Sequence, residues 1–236
     1  IIAVSAQTKL DLVERLDVEP AKVAVVHEAA QPEFRPVRDQ DRIAAALRRH
    51  GVTRPFFLHA GNLEPRKNQA GLVRAFLGEP TLRGRFQLVL AGAQGWLTEG
   101  IEAELAKLDP GGEVVRPGHL PLEDLVLLMN AAQAFVFPSL YEGFGLPVLE
   151  AMSCATPVIT SNIGSLPEVA GPAALLVDPH EPEEIARAML AMADDDELRG
   201  RLAREGLARA GRFSWDQAAR ATLAVYEEAA REKAEK

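Results

Sequence analysis

The sequence is short of the residues that would mark a specialised chain. A single cysteine, Cys154, excludes an internal disulfide and fits a reducing, cytoplasmic compartment. It lies in the apolar stretch Ala151-Met152-Ser153-Cys154-Ala155 and reads as a packing residue rather than a nucleophile. The histidines His27, His50, His59, His119 and His180 are scattered without metal-ligand spacing, so no metal site is expected; separately, no tightly bound cofactor is expected. No apolar run approaches the roughly 18 to 20 residues of a membrane span. Basic residues are outnumbered 26 to 34, a formal net charge of -8, which argues against a broad nucleic-acid footprint and against a strongly basic membrane-binding face.

What is present describes a globular domain. Of 236 residues, 47% are hydrophobic and 25% charged, enough to bury a core without staples. Apolar runs of strand length recur at Phe56–Ala60, Phe86–Ala91, Glu113–Arg116, Ala134–Pro138, Pro157–Thr160 and Ala174–Val177. They are continuous rather than alternating, as strands buried on both faces of a parallel sheet require. Helical patterns fall between them at Gln69–Leu77, Glu99–Leu108, Leu122–Ala132, Pro147–Cys154 and Leu166–Val169. This alternation predicts a doubly wound, Rossmann-like α/β domain with ligands beyond the carboxyl ends of the strands.

The ends of the chain differ from its middle. Ile1-Ile2-Ala3-Val4 carries no positively charged leader and reads as a strand entered mid-fold, so a piece of a longer protein is expected. Residues 1–36 offer a helix near Thr8–Leu16, a strand near Lys22–Val26 and a linker at Gln31–Pro36, too little sheet for a domain. They are expected to be the tail of a preceding domain, with the main domain at 37–213. From Glu183 the pattern is helical to the end, broken near Gly211, and Ser214 with Gln217 predicts a capping box for a last helix over 214–236. Its mixed-charge stretch Glu227–Lys236 is expected to be solvated or frayed.

Two segments carry chemistry. In Tyr141-Glu142-Gly143-Phe144-Gly145-Leu146-Pro147, two glycines precede a helix with proline in its first turn. Backbone N–H groups from Phe144 onward would then face outward at the positive helix end, an anion site suited to a diphosphate. Glu150, on the first turns of that helix, could accept hydrogen bonds from vicinal ribose hydroxyls, and Glu142 could reach a sugar hydroxyl. The bland alternative is a tight turn followed by a solvated glutamate. The second segment, Gly61-Asn62-Leu63-Glu64-Pro65-Arg66-Lys67-Asn68, follows the strand at Phe56–Ala60. Asn68 would cap the next helix, and Arg66 and Lys67 crowd its positive end, an unfavourable placement that an anionic ligand would reverse.

Together with Leu166-Pro167-Glu168-Val169-Ala170-Gly171 and Val177-Asp178-Pro179, these segments resemble the C-terminal, donor-binding domain of retaining GT-B glycosyltransferases, closest to family four, the glycosyl transferases group 1. Glu142 and Glu150 match the family's two glutamates separated by seven residues. The resemblance implies that Arg66 and Lys67 bind the donor diphosphate, with Glu142 on the donor sugar and Glu150 on the ribose. Gly143, Phe144, Gly145 and Leu146 would lend amides; Gly61 and Asn62 would line the donor site, and Gly118, His119 and Leu120 the base. It implies a nucleotide-diphosphate sugar donor (GDP-mannose-like or a UDP-sugar), a saccharide or lipid-linked acceptor, and an N-terminal domain that reads the acceptor. Any membrane contact, peripheral at the inner face, would run through that other domain. One departure is His27-Glu28-Ala29-Ala30, where many members have an asparagine–glycine turn.

Rival readings fit less of this. A glycoside hydrolase also needs two carboxylates, but at about 5 to 9.5 Å, whereas eight helical positions span about 12 Å. It would also have no use for the cationic pair. A non-catalytic nucleotide-sugar-binding module stays open for the chain alone. A dehydrogenase lacks its glycine-rich fingerprint after the first strand.

Overall fold

The computed structural model describes residues 1–93, 99–109 and 113–234. The first half runs β1 (Ile2–Ala3), α1 (Ala6–Leu16), β2 (Ala24–Val25), α2 (Gln40–Arg49), β3 (Phe56–Ala60), α3 (Gln69–Gly78), α4 (Pro80–Arg85), β4 (Gln87–Ala91), α5 (Glu99–Leu108) and β5 (Val114–Gly118). Then follow α6 (Leu122–Ala131), β6 (Ala134–Phe137), α7 (Leu146–Ser153), β7 (Val158–Ser161), α8 (Leu166–Ala170), β8 (Leu175–Val177), α9 (Pro182–Asp194), α10 (Asp196–Ala210) and α11 (Trp215–Ala234).

Six strands form one parallel sheet in the order β5-β4-β3-β6-β7-β8. The expected doubly wound α/β fold is therefore present. Its apolar runs are explained by two cores, one on each face. Phe56, Leu58, Phe135 and Phe137 point to one side, where α2, α6, α7 and α8 cover them. Phe57, Leu88, Leu90, Val136 and Ile159 point to the other, under α3, α4 and α9. Each such side chain, fully buried, contributes about 1.5–3 kcal/mol. No polar face survives on these strands, so no alternation is visible in the sequence.

Chain order reverses between β3 and β6: β4 and β5 lie to one side of that pair, β7 and β8 to the other. Such a switch point opens a crevice at the carboxyl ends of the strands. Gly61, Gly92 and Gly118 end β3, β4 and β5 along this edge, where Gly92 N donates to Gly118 O at 2.8 Å. At Gly92 the neighbouring backbone comes so close that an added Cβ would lie 2.0 Å from Gly61 O. Only glycine allows that approach.

Several expectations need correction. The helices α2 and α4 lie in segments with no predicted element. The C-terminal helical stretch breaks at Asp195 as well as near Gly211, because the Asp195 side chain leaves the helix to accept from Leu198 N at 2.8 Å, capping α10. Asn68 is not a side-chain cap. Its backbone is left-handed (φ 56°), and its amide donates instead to Pro138 O (3.2 Å) and Pro179 O (2.7 Å). Segment 31–36 is more than a linker, since Phe34 is buried in the main core and Asn130 ties down both Arg35 O and Val37 N. Ser214 does accept from Gln217 N at 3.2 Å. Along α11, Trp215, Leu223 and Tyr226 are exposed; Glu235 and Lys236, at the end of the expected frayed tail, lie outside the described residues.

Candidate nucleotide-sugar site

At the switch point, the turn after β3 faces the loop after β6. Pro65–Lys67 form a single 3-10 turn, which presents Arg66 and Lys67 side by side. Lys67 Nζ lies 2.7 Å from Glu142 Oε1, and Arg66 Nη1 lies 2.6 Å from Glu142 Oε2. Ser139 Oγ donates to Glu142 Oε1 at 2.8 Å, and Glu64 holds Arg66 Nε at 2.8 Å. The fold thus gathers the three residues of the predicted catalytic set into one cluster. Pairing of both cations with Glu142 was not foreseen. It leaves donors to spare, because an ammonium has three and a guanidinium five. Burial works against the Arg66 charge, but Glu142 and Glu64 outweigh it and hold its pKa above the ordinary value. Lys67 Nζ also stands 4.6 Å from the centroid of the Phe137 ring, a cation–π contact.

The glycine loop behaves as the spacing predicts. Gly145 adopts φ 116° at the N-cap of α7, and Leu146-Pro147 open the helix. A Cβ at Gly145 would meet Leu166 Cδ2 at 2.7 Å. The Phe144 side chain is buried, stacked on His27 (5.7 Å) and edge-on to Phe213 (5.9 Å). Burial pushes the Glu150 carboxyl up to about 7, opposed by Lys67. Among the described residues its carboxylate has no hydrogen-bond partner.

Gly118 has a left-handed φ of 76° at the end of β5; His119 is exposed, and the Leu120 side chain is buried in the core. Gly61 and Asn62 follow β3, where Gln69 Nε2 donates to Asn62 O at 2.9 Å. Gly118, His119 and Leu120 lie at a strand end two places from the cationic turn. Cys154 is buried, and that burial pushes its thiol up to about 12, as a packing residue requires.

Three polar residues near the site were missed by sequence reasoning. His59 is fully buried in β3, stacked on Phe137 at 5.5 Å, with Nδ1 3.0 Å from Val136 O. Burial pulls it down to about 4, so it is neutral, and Nε2 has no partner among the described residues. Glu168 accepts from Ala6 N with both oxygens (3.0 and 2.9 Å) and lies 2.6 Å from His27 Nε2. The departure at His27 therefore has a use: its ring joins residues 1–36 to Glu168 and Phe144. Ser165 Oγ lies 2.9 Å from Glu142 O and 2.8 Å from Phe144 O.

The family model "Glycosyl transferases group 1" matches residues 42–209, which include the cationic turn, the glycine loop and both glutamates. The chain belongs to this family. It is 34% identical over 227 residues to O-antigen chain mannosyltransferase B of Escherichia coli, covering 96% of this chain and 60% of that protein. Sucrose-phosphate synthase from Thermosynechococcus elongatus superposes with a TM-score of 0.81 at 29% identity, covering 96% of this chain and 57% of that one. Anabaena HepE, solved with UDP-glucose, superposes with a TM-score of 0.83 at 20% identity over 98% of this chain and 63% of that one, a likeness of fold. The chain thus has the Rossmann-like domain of a GT-B glycosyltransferase of this group, and it spans about 60% of the length of each of these three proteins. Among the described residues no helix is long and apolar enough to cross a membrane.

Proposed function

We propose that this chain is the donor-binding part of a retaining glycosyltransferase of family four, which moves a sugar from a nucleotide-diphosphate sugar to an acceptor hydroxyl. The observation that carries the reading is the Arg66–Lys67–Glu142 cluster at the switch point, beside the N-terminus of α7. Breaking the anomeric bond leaves negative charge on the departing diphosphate and positive charge on the sugar. Arg66, Lys67 and the amides of Gly143 to Leu146 meet the first where it develops, in a partly water-excluded site. Glu142, already set between the two cations, meets the sugar side. Glu150 takes the ribose hydroxyls. Gly61 and Asn62 border the diphosphate, and backbone groups of Gly118, His119 and Leu120 receive the base.

The relative named as a mannosyltransferase favours a GDP-mannose-like donor, and the neighbour solved with UDP-glucose keeps a UDP-sugar in view. A saccharide or lipid-linked acceptor would be read by an N-terminal domain, of which residues 1–36 are the tail. The exposed Trp215, Leu223 and Tyr226 of α11 would lie against that domain. Cytoplasmic placement, peripheral at the inner membrane face through the acceptor half, fits these roles.

Titration calorimetry of the full-length protein with UDP, GDP and ADP tests the reading. One nucleotide should bind, and Lys67→Ala and Glu150→Ala should each weaken it about tenfold or more. Full affinity in both variants would overturn the assignment.

A further inference from the structure

Three consecutive carbonyls in the glycine loop are held by hydroxyls from outside it. Gly143 O accepts from Ser5 Oγ at 2.6 Å and Thr8 Oγ1 at 2.9 Å. On its two sides, Glu142 O and Phe144 O both lie within reach of Ser165 Oγ, at 2.9 and 2.8 Å. Ser5 and Ser165 are wholly buried. A carbonyl has two lone pairs, so Gly143 O can accept both protons offered to it. Ser5 Oγ meanwhile accepts from Thr8 N at 3.0 Å and caps α1.

A trans peptide is planar, with its C=O and the next N–H pointing in opposite directions. Two hydroxyls on the Gly143 carbonyl, and the one Ser165 proton shared between the Glu142 and Phe144 carbonyls, therefore set the directions of the amides of 143, 144 and 145. Among the described residues none of these three amides has a hydrogen-bond partner, although Phe144 and Gly145 are buried. Main-chain N–H groups of buried residues are almost always paired, so the unpartnered amides of Phe144 and Gly145, next to that of half-buried Gly143, point to a ligand with several acceptor oxygens.

We infer that Ser5, Thr8 and Ser165 are positioning residues that aim the amides of Gly143, Phe144 and Gly145 at the donor diphosphate, so that the donor site is completed by the N-terminal segment. The inference rests on the donor-site reading above. It adds a route by which movement of residues 1–36 alters donor binding without any of their side chains touching the donor. Ser5 and Thr8 sit at the start of α1, and Glu168 anchors the same turn through Ala6 N. Displacement of α1 would release Gly143 O and let the Gly143–Phe144 peptide rotate.

The test compares UDP with uridine, and GDP with guanosine, on the full-length protein. Thr8→Val keeps the shape of the side chain and the Ser5 cap but removes one donor to Gly143 O. It should weaken diphosphate binding about tenfold and leave nucleoside binding within twofold. Thr8→Ser should restore wild-type affinity. Ser165→Ala should repeat the selective loss from the other side of the loop and serves alone if Thr8→Val does not fold. Equal loss for nucleoside and diphosphate, no loss at all, or no rescue by Thr8→Ser would overturn the inference. Lys67→Ala separates the two readings: if it weakens UDP or GDP while the hydroxyl variants do not, only the positioning role falls. If Lys67→Ala binds normally, the donor site itself is misplaced and the positioning role falls with it.

Discussion

Lys67 Nζ and Glu142 Oε1 are 2.7 Å apart, with side-chain exposures of only 8% and 9%. Glu142 also neutralises Arg66, so it is the hub of the cluster and Lys67 is one spoke. Removing the hub strands a buried ammonium, whereas removing Lys67 leaves Glu142 bound to Arg66 and Ser139. Breaking a buried pair from one side costs about 3–5 kcal/mol. Glu142→Ala is expected to lose stability in that range and Lys67→Ala clearly less, measured by urea unfolding at pH 7. The paired replacement Lys67→Met with Glu142→Leu should recover much of the loss. An equal cost for the two single variants would contradict the hub arrangement.

Glu150 gives the site a pH dependence. Its ordinary pKa of 4.5 rises to about 7 in the folded chain. Between those values the unfolded chain has released this proton and the folded chain still holds it. The Glu150 contribution to stability is therefore complete below about pH 4.5 and falls as pH rises to 7, by about 3 kcal/mol at most. Glu150→Gln should match wild type near pH 5 and exceed it at pH 8 in urea unfolding. Nucleotide affinity should change in the opposite sense, rising through pH 7 as the carboxylate that accepts ribose hydroxyls forms. Identical pH slopes for wild type and Glu150→Gln would remove Glu150 from both effects.

The strand ends predict a contrast between two glycines. At Gly92 a Cβ would collide with Gly61 O, a backbone atom that cannot step aside, while at Gly118 the space is open and only the left-handed φ resists. Gly118→Ala should cost about 1–2 kcal/mol. Gly92→Ala should cost more than about 3 kcal/mol, because β3 and β4 must part to admit it. Thermal melts of both variants check the order, and a smaller loss at Gly92 would refute the close approach.

The sequence was most legible where burial is symmetric. Strands covered on both faces leave continuous apolar runs, and each of the six predicted strands lies within a residue or two of its observed position. Helix α2 was missed because only Ile43 and Ala46 of its ten residues are buried, which leaves too faint a stripe. Helix α4 has Leu82 alone as an anchor and contains Gly84. Arg66, Lys67, Glu142 and Glu150 were visible through their spacing around a glycine loop. Their partnership was not, since pairing across more than seventy positions depends on β3 and β6 being neighbours. Ser5, Thr8 and Ser165 had no signal of their own. An isolated hydroxyl becomes informative only when the fold sets a carbonyl against it.

The cationic turn is stitched to the ends of two other strands at once, β6 and β8. Leu140 N and Ser139 Oγ both give to Arg66 O, at 2.7 and 2.8 Å, while the Asn68 amide reaches Pro138 O and Pro179 O. A turn held in this way has little freedom left to lose when an anion arrives. Association with a phosphate would then be limited by diffusion and by the attraction of opposite charges, and would slow with added salt, rather than wait for the backbone to rearrange.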